Sequence, residues 1–127
     1  MALCLVGSEM CIRDSLRYLA LSNTIRSALT TWGKTLSNEV AKSNITVNNI
    51  LTGYFNTERL EQLNSEKAIK MGVKVEEVFD AMKNQVPAKR IGNPKEFGYL
   101  ATFLSSDYAS YINGINIAID GGLIKSL

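Results

Sequence analysis

Two short β-branched runs, residues 45–51 (Ile-Thr-Val-Asn-Asn-Ile-Leu) and 115–119 (Ile-Asn-Ile-Ala-Ile), constrain the fold of this chain more than any other feature. Both are apolar enough to lie in a parallel sheet covered on its two faces. The sequence before and between them is helical in period. Long helix, strand, helices, strand is an α/β pattern, and strands linked by helical crossovers are expected to pair in parallel. Two strands nevertheless make a poor sheet, because each leaves an edge unpaired and so small a sheet is marginal in water. The chain therefore reads as one end of a larger sheet, a fragment of a longer domain.

The helical segments carry their own start and stop signals. Over residues 16–42, Ile25, Ala28, Leu29, Trp32, Leu36 and Val40 recur at three- and four-residue spacing, opposite a polar row of Thr30, Lys34, Asn38 and Lys42. This is expected to be the longest helix, closed by Lys42-Ser43-Asn44 with Asn in the left-handed position. Thr57 can cap a second helix, with Glu58 and Glu61 near its positive end. Gly72 interrupts, and residues 75–86 resume with Val78, Phe79 and Met82 on one side until Pro87 ends the run. Asn93-Pro94-Lys95-Glu96 opens a further helix with a cap, a proline at the first position and a capping-box Glu. Phe97, Leu100, Ala101 and Leu104 line its inner face, and Asn113-Gly114 then turns the chain into the last strand.

The first fifteen residues differ in character from the rest of the chain. They hold both cysteines, Cys4 and Cys11, without a sustained helical or alternating pattern. Residues 10–15 (Met-Cys-Ile-Arg-Asp-Ser) resemble a peptide produced when sequencing-adapter DNA is translated at a contig edge. Residues 1–15 are therefore read as a non-native or irregular segment and 16–127 as the folded part. Neither cysteine is read as a redox or metal residue.

Composition narrows the chemistry. The chain has no histidine, which removes the Ser-His-Asp triad, the Cys-His pair and every His-ligated metal site together. Two cysteines with six residues between them offer no zinc cluster, so no metal site is expected. Fourteen Lys and Arg against twelve Asp and Glu leave +2, too weak a field to select nucleic acid or an anionic membrane. No apolar run approaches the roughly 20 residues of a membrane span. The expectation is a cytoplasmic protein, with neither nucleic acid nor membrane as partner.

Residues 19–23, 34–41, 45–50, 52–57, 86–96 and 105–122, in that order, carry motifs that together resemble those of the short-chain dehydrogenase/reductase family. Residues 19–23 with 34–41 resemble the helix that carries that family's Tyr-x-x-x-Lys, and residues 45–50 its "I-x-V-N-x-I" strand. Thr52-Gly53-Tyr54-Phe55-Asn56-Thr57 resembles the "P-G-x-[IV]-x-T" nicotinamide loop. Residues 86–96 resemble "P-x-x-R-x-G-x-P-x-E", and residues 105–122 the closing segment that ends in Asp-Gly-Gly. Within the family the 3-oxoacyl-[acyl-carrier-protein] reductase-like members are the nearest in pattern. The resemblance implies the C-terminal part of a Rossmann-like, doubly wound parallel α/β sheet. It also implies an NAD(P)-dependent oxidoreductase that reduces a carbonyl or oxidises an alcohol, binding NADP or NAD in the intact parent. The Gly-rich phosphate turn and the catalytic Ser and Asn would belong to an N-terminal half, and Gly7 alone does not replace them.

Carried over position by position, the resemblance assigns cofactor contact to Thr52, Gly53, Phe55 and Thr57 and no catalytic residue. Thr52 stands where the family has Pro, and Phe55 where it has Ile or Val. Thr57 could offer its hydroxyl to a carboxamide or phosphate, or serve only as a helix cap. The Tyr position is Leu19, which cannot transfer a proton, and the Lys position is Asn23, which has no charge to stabilise a tyrosinate. A one-residue slip would use Tyr18 with Ser22, again without a cation, and Arg26 lies two turns away. Two readings result: a truncated oxidoreductase that is inactive as this chain and binds no cofactor alone, or a non-catalytic member acting in assembly or ligand binding. Lys67, Lys70 and Lys74 form a solvated face or a weak acyl-carrier docking patch. Asp120-Gly121-Gly122 is read as ending the last strand and shaping a subunit contact. The wide apolar stripe on the first helix and the family's assembly imply a homodimer or homotetramer in the parent, and self-association or a large exposed apolar patch in this chain.

Overall fold

The computed structural model describes residues 2–7 and 20–125. Strand β1 (Ala2–Gly7) is followed by helix α1 (Ala20–Val40), a 3-10 turn (Ala41–Ser43) and strand β2 (Thr46–Thr52). Helices α2 (Glu58–Met71), α3 (Val75–Gln85) and α4 (Pro94–Leu104) come next, then a second 3-10 turn (Asp107–Ala109) and strand β3 (Asn116–Ile119). The sheet has three strands in the order β1-β2-β3. Both pairings are parallel, with Ala2 opposite Thr46 and Ile50 opposite Ile117. The α/β assignment and the parallel pairing of residues 45–51 with 115–119 are thus observed.

Two expectations change. Part of the N-terminal stretch read as irregular is regular, since Ala2–Gly7 occupies the outer edge of β2. A six-residue run carries too few periods to announce itself. It becomes a strand because β2 offers it a row of unpaired backbone groups. The two-strand sheet read from sequence therefore has three strands, and the rest of residues 1–15, including Cys11, lies outside the described residues. The second concerns which positions of α1, the longest helix among the described residues, face the sheet; that part of its wide apolar stripe stays uncovered was foreseen. Among the α1 residues whose burial is described, Gly33 and Ser37 are the buried ones, while Ile25 is 61 % and Trp32 50 % exposed. Small side chains let the helix approach β2 closely, whereas Leu29, Leu36 and Val40 are only half-buried. The Ser37 hydroxyl donates to Lys34 O at 2.7 Å, and the Ser37 carbonyl accepts from Asn113 Nδ2 at 3.1 Å, so both polar groups are satisfied.

The main core lies between β2, β3 and α4. Ile50, Leu104 and Ala109 are buried together, with Phe97, Leu100, Ile112, Ile117 and Ile119 packed against them. Ile50 and Ile117 are register partners and share a face, as the period of two requires. The inward face expected for α4 is the observed one. Its start is the expected capping box: the Asn93 side chain accepts from Lys95 N at 2.9 Å, while Glu96 accepts from Asn93 N at 2.8 Å. Asn44, at φ 58, takes the left-handed position foreseen for it. Gly72, at φ 67, closes α2 in the same way.

Candidate functional site

Parallel strands end on a common rim, and crevices at that rim bind ligands in α/β folds. Here the chain leaves β2 through Gly53, whose N–H continues the sheet by donating to Ile119 O at 3.0 Å. A Cβ at Gly53 would lie 2.5 Å from Asp120 Cα, so only glycine lets these two strand ends meet. The close approach foreseen at Gly53 is therefore made to Asp120.

Beyond Gly53 the chain forms a parallel bridge centred on Phe55 and Gly92. Gly92 N donates to Tyr54 O and Asn56 N donates to Gly92 O, each at 2.9 Å. In that pattern the N–H and C=O of Phe55 itself point away from the bridge. The Phe55 ring covers Gly92 and meets Phe97 edge to face, with centroids 6.1 Å apart. Thr57 then caps α2, its hydroxyl oxygen accepting from Leu60 N at 3.3 Å. The cap leaves the hydroxyl proton available to a second acceptor, so both roles foreseen for Thr57 are chemically compatible.

Thr52, Gly53, Phe55 and Thr57 come together on one cavity of about 760 Å³ between the strand rim and the α2–α3 pair. Leu60, Leu63, Met82, Pro94 and Phe97 make most of the rest of the wall apolar, and Tyr54, Arg59, Asn64 and Lys67 are its other polar residues. Met82 of α3 is buried against Asn64 of α2, and Val78 and Ala68 are buried as well, so that the two helices form one hairpin beside the rim. Leu19 lies outside the described residues, and Asn23 falls in α1, an amide that carries no charge. Among the described residues, no three Cys, Asp or Glu side chains gather where a metal ion would need them. No helix among them is long and apolar enough to cross a membrane.

The loop of residues 86–92 that returns from α3 is held by contacts that sequence reasoning did not identify. Arg90 grips Glu96 through both guanidinium nitrogens, at 2.8 and 2.6 Å. The Arg90 hydrogen bonds, followed by the Asn93 N–H, hold the Glu96 carboxyl down at about 2. Arg90 and Glu96 both belong to the "P-x-x-R-x-G-x-P-x-E" pattern, whose spacing is the signal for this ion pair. Asp120 accepts from Gly122 N at 2.9 Å and from Ile124 N at 2.7 Å. Gly121 O accepts from Ala88 N at 3.1 Å, and a Cβ at Gly121 would lie 2.7 Å from Val86 Cγ1. Asp120-Gly121-Gly122 thus ends β3, as foreseen, and clamps the returning loop against it.

The pattern of the family described as enoyl-(acyl carrier protein) reductase matches residues 8–124. The NADPH-dependent reductase BacG of Bacillus subtilis is 34% identical over 106 residues, which cover 84% of this chain and 41% of that protein. L-sorbose reductase from Gluconobacter frateurii, solved with NADPH and L-sorbose, superimposes with a TM-score of 0.90 at 29% identity, covering 99% of this chain and 49% of the other. A short chain dehydrogenase family protein from Francisella tularensis gives a TM-score of 0.86 at 28% identity, covering 96% and 50%. The chain spans about half the length of the solved structures it matches, and less of BacG. Sequence pattern and superposition agree over nearly all of its length: the chain belongs to the short-chain dehydrogenase/reductase family.

Proposed function

We infer that this chain forms the nicotinamide-loop and substrate-lid part of an NAD(P)-dependent oxidoreductase acting in the cytoplasm on a carbonyl or alcohol, possessing no turnover by itself. The observation that carries this reading is the convergence of Thr52, Gly53, Phe55 and Thr57 on one rim cavity. The donor set suits a carboxamide, which needs one donor and one acceptor. The Phe55 backbone turns both away from its bridge, and the Thr57 hydroxyl keeps a proton to give. Thr52, Phe55 and Thr57 would hold the nicotinamide end. The residues present do not provide for the phosphate end, since no Gly-rich turn between a strand and a helix occurs in the sequence.

A bound NAD(P) supplies or accepts the hydride. This chain's part is to seat the carboxamide, to orient the ring against the rim, and to exclude water with the apolar wall of Leu60, Leu63 and Phe97. Proton transfer is the function for which it has no evident group, given Leu19 and Asn23 at the Tyr and Lys positions. That departure favours the second reading, a non-catalytic member used in ligand binding or assembly. Purified chain mixed with NADPH and an acetoacetyl substrate is expected to show no steady NADPH oxidation, and steady oxidation would overturn the reading. A full-length homologue with the same two substitutions separates the alternatives: tight NADPH binding without turnover supports the non-catalytic one. The parent is proposed to be a homodimer or homotetramer assembled through the exposed stripe of α1. Acyl-carrier protein at Lys67, Lys70 and Lys74 is the weaker partner proposal, as Lys70 and Lys74 lie on the same hairpin as the cavity-lining Lys67.

A further inference from the structure

The rim cavity has a charge pattern that the nicotinamide reading does not use. Its charged lining residues are Arg59 and Lys67, and no acidic residue lines it. With Leu63 they form a row on α2 at four-residue spacing, the spacing that places side chains on one helix face. Neither cation takes part in the ion pairs found among the described residues, Lys83 with Asp80 and Arg90 with Glu96. The side-chain contact of Arg59 is a long 3.3 Å hydrogen bond to Gln62.

Between the two cations sits Asn64, only 4 % exposed and also part of the cavity wall. Its amide donates to the Met82 thioether at 3.1 Å, a weak acceptor. That bond is weak, so a polar group arriving from the cavity would offer the amide a stronger partner. An entirely apolar ligand would not. A cationic ligand would meet two like charges.

The geometry points to a ligand with an apolar body and an anionic end: Arg59 and Lys67 hold the anion, Asn64 hydrogen-bonds a polar group beside it, and the body lies on Leu60, Leu63 and Phe97. This rests on the reading of the rim cavity as a ligand pocket and adds the substrate's chemical class to it. A carboxylate with an alkyl or branched body fits, and so does an anionic conjugate of similar shape. The apolar wall favours the substrate over the phosphates of the dinucleotide as the source of the anion.

The test is a titration of the isotope-labelled chain with sodium octanoate, 1-octanol and octylammonium chloride, followed by amide shifts at Leu60, Leu63 and Asn64. Octanoate is expected to bind about tenfold tighter than octanol, with octylammonium weakest and the octanoate advantage shrinking as salt rises. In the Arg59→Gln/Lys67→Gln variant octanoate falls to within about twofold of octanol, whose own affinity does not move. A dispersed spectrum confirms that the variant folds. Equal binding of octanoate and octanol to the unaltered chain overturns the inference and leaves the pocket reading intact. A variant that keeps the preference does the same. A variant that weakens NADPH but not octanoate assigns the cations to the dinucleotide and likewise overturns it. Absence of saturable binding by all three probes overturns the pocket reading itself, and this inference with it.

Discussion

At the scale of single residues, the loop returning from α3 depends on side chains with little freedom to change. The Glu96 carboxyl titrates at about 2 in the folded chain against an ordinary value of 4.5, so the Arg90–Glu96 pair stabilises the fold above that ordinary value. Its contribution fades as pH falls from about 4.5 toward 2, when the carboxylate is protonated. The pair is exposed, so salt weakens it and the effect is small. Glu96→Gln is expected to flatten the acid fall of the melting temperature in that window, as followed by circular dichroism across pH. Gly53→Ala is a sharper perturbation, because the new Cβ would stand 2.5 Å from backbone that cannot swing aside. A loss of roughly 1–3 kcal/mol is expected from a urea midpoint. Of these contacts, the capping box is legible in the sequence because its four residues are consecutive. The demand for glycine at position 53 is visible there only as a motif. Its physical cause, Asp120, lies far along the chain and becomes a neighbour only once the sheet forms. Asn64 gives no signal, since an Asn in a polar helical stretch looks the same whether it faces water or an apolar cavity.

At the scale of elements, α4 shows how far periodicity can be trusted. Its inner face reads from spacing as Phe97, Leu100, Ala101 and Leu104, and these residues pack on Ile50 or its neighbours. Leu104 is fully buried there, and Leu104→Ala is expected to cost about 2–5 kcal/mol in chemical denaturation. Helix α1 obeys the same period and misleads. Its large apolar side chains Ile25 and Trp32 are exposed, while Gly33 and Ser37 are buried. Hydrophobic spacing identifies a stripe, but cannot say which of two adjacent stripes faces the sheet and which awaits a second surface. Strand β1 escapes a sequence reading for a complementary reason. A run of a few apolar residues becomes a strand only through its neighbour, and the edge of β2 is not written in residues 2–7.

At the scale of the whole molecule, the described chain is a short parallel sheet with apolar surface left uncovered. Trp32 and Ile25 on α1, and Tyr99 and Phe103 on α4, are large apolar or aromatic side chains left exposed. The chain is expected to self-associate at micromolar concentration, and Trp32→Gln to shift it toward monomer in light scattering. A cooperatively folding monomer before any substitution would defeat this expectation. The excursion from β2 to α4 has a different standing. It leaves at Asn56 and returns at Gly92, and those two residues are joined by a 2.9 Å hydrogen bond. The α2–α3 hairpin within it therefore begins and ends at a single point on the rim, and its two helices pack mainly on each other. Such a hairpin can be lengthened, shortened or exchanged for another without disturbing the register of a single strand. Drift within this stretch could retune what the cavity admits while the sheet beneath stays constant, so a change of diet would require only a change of cassette.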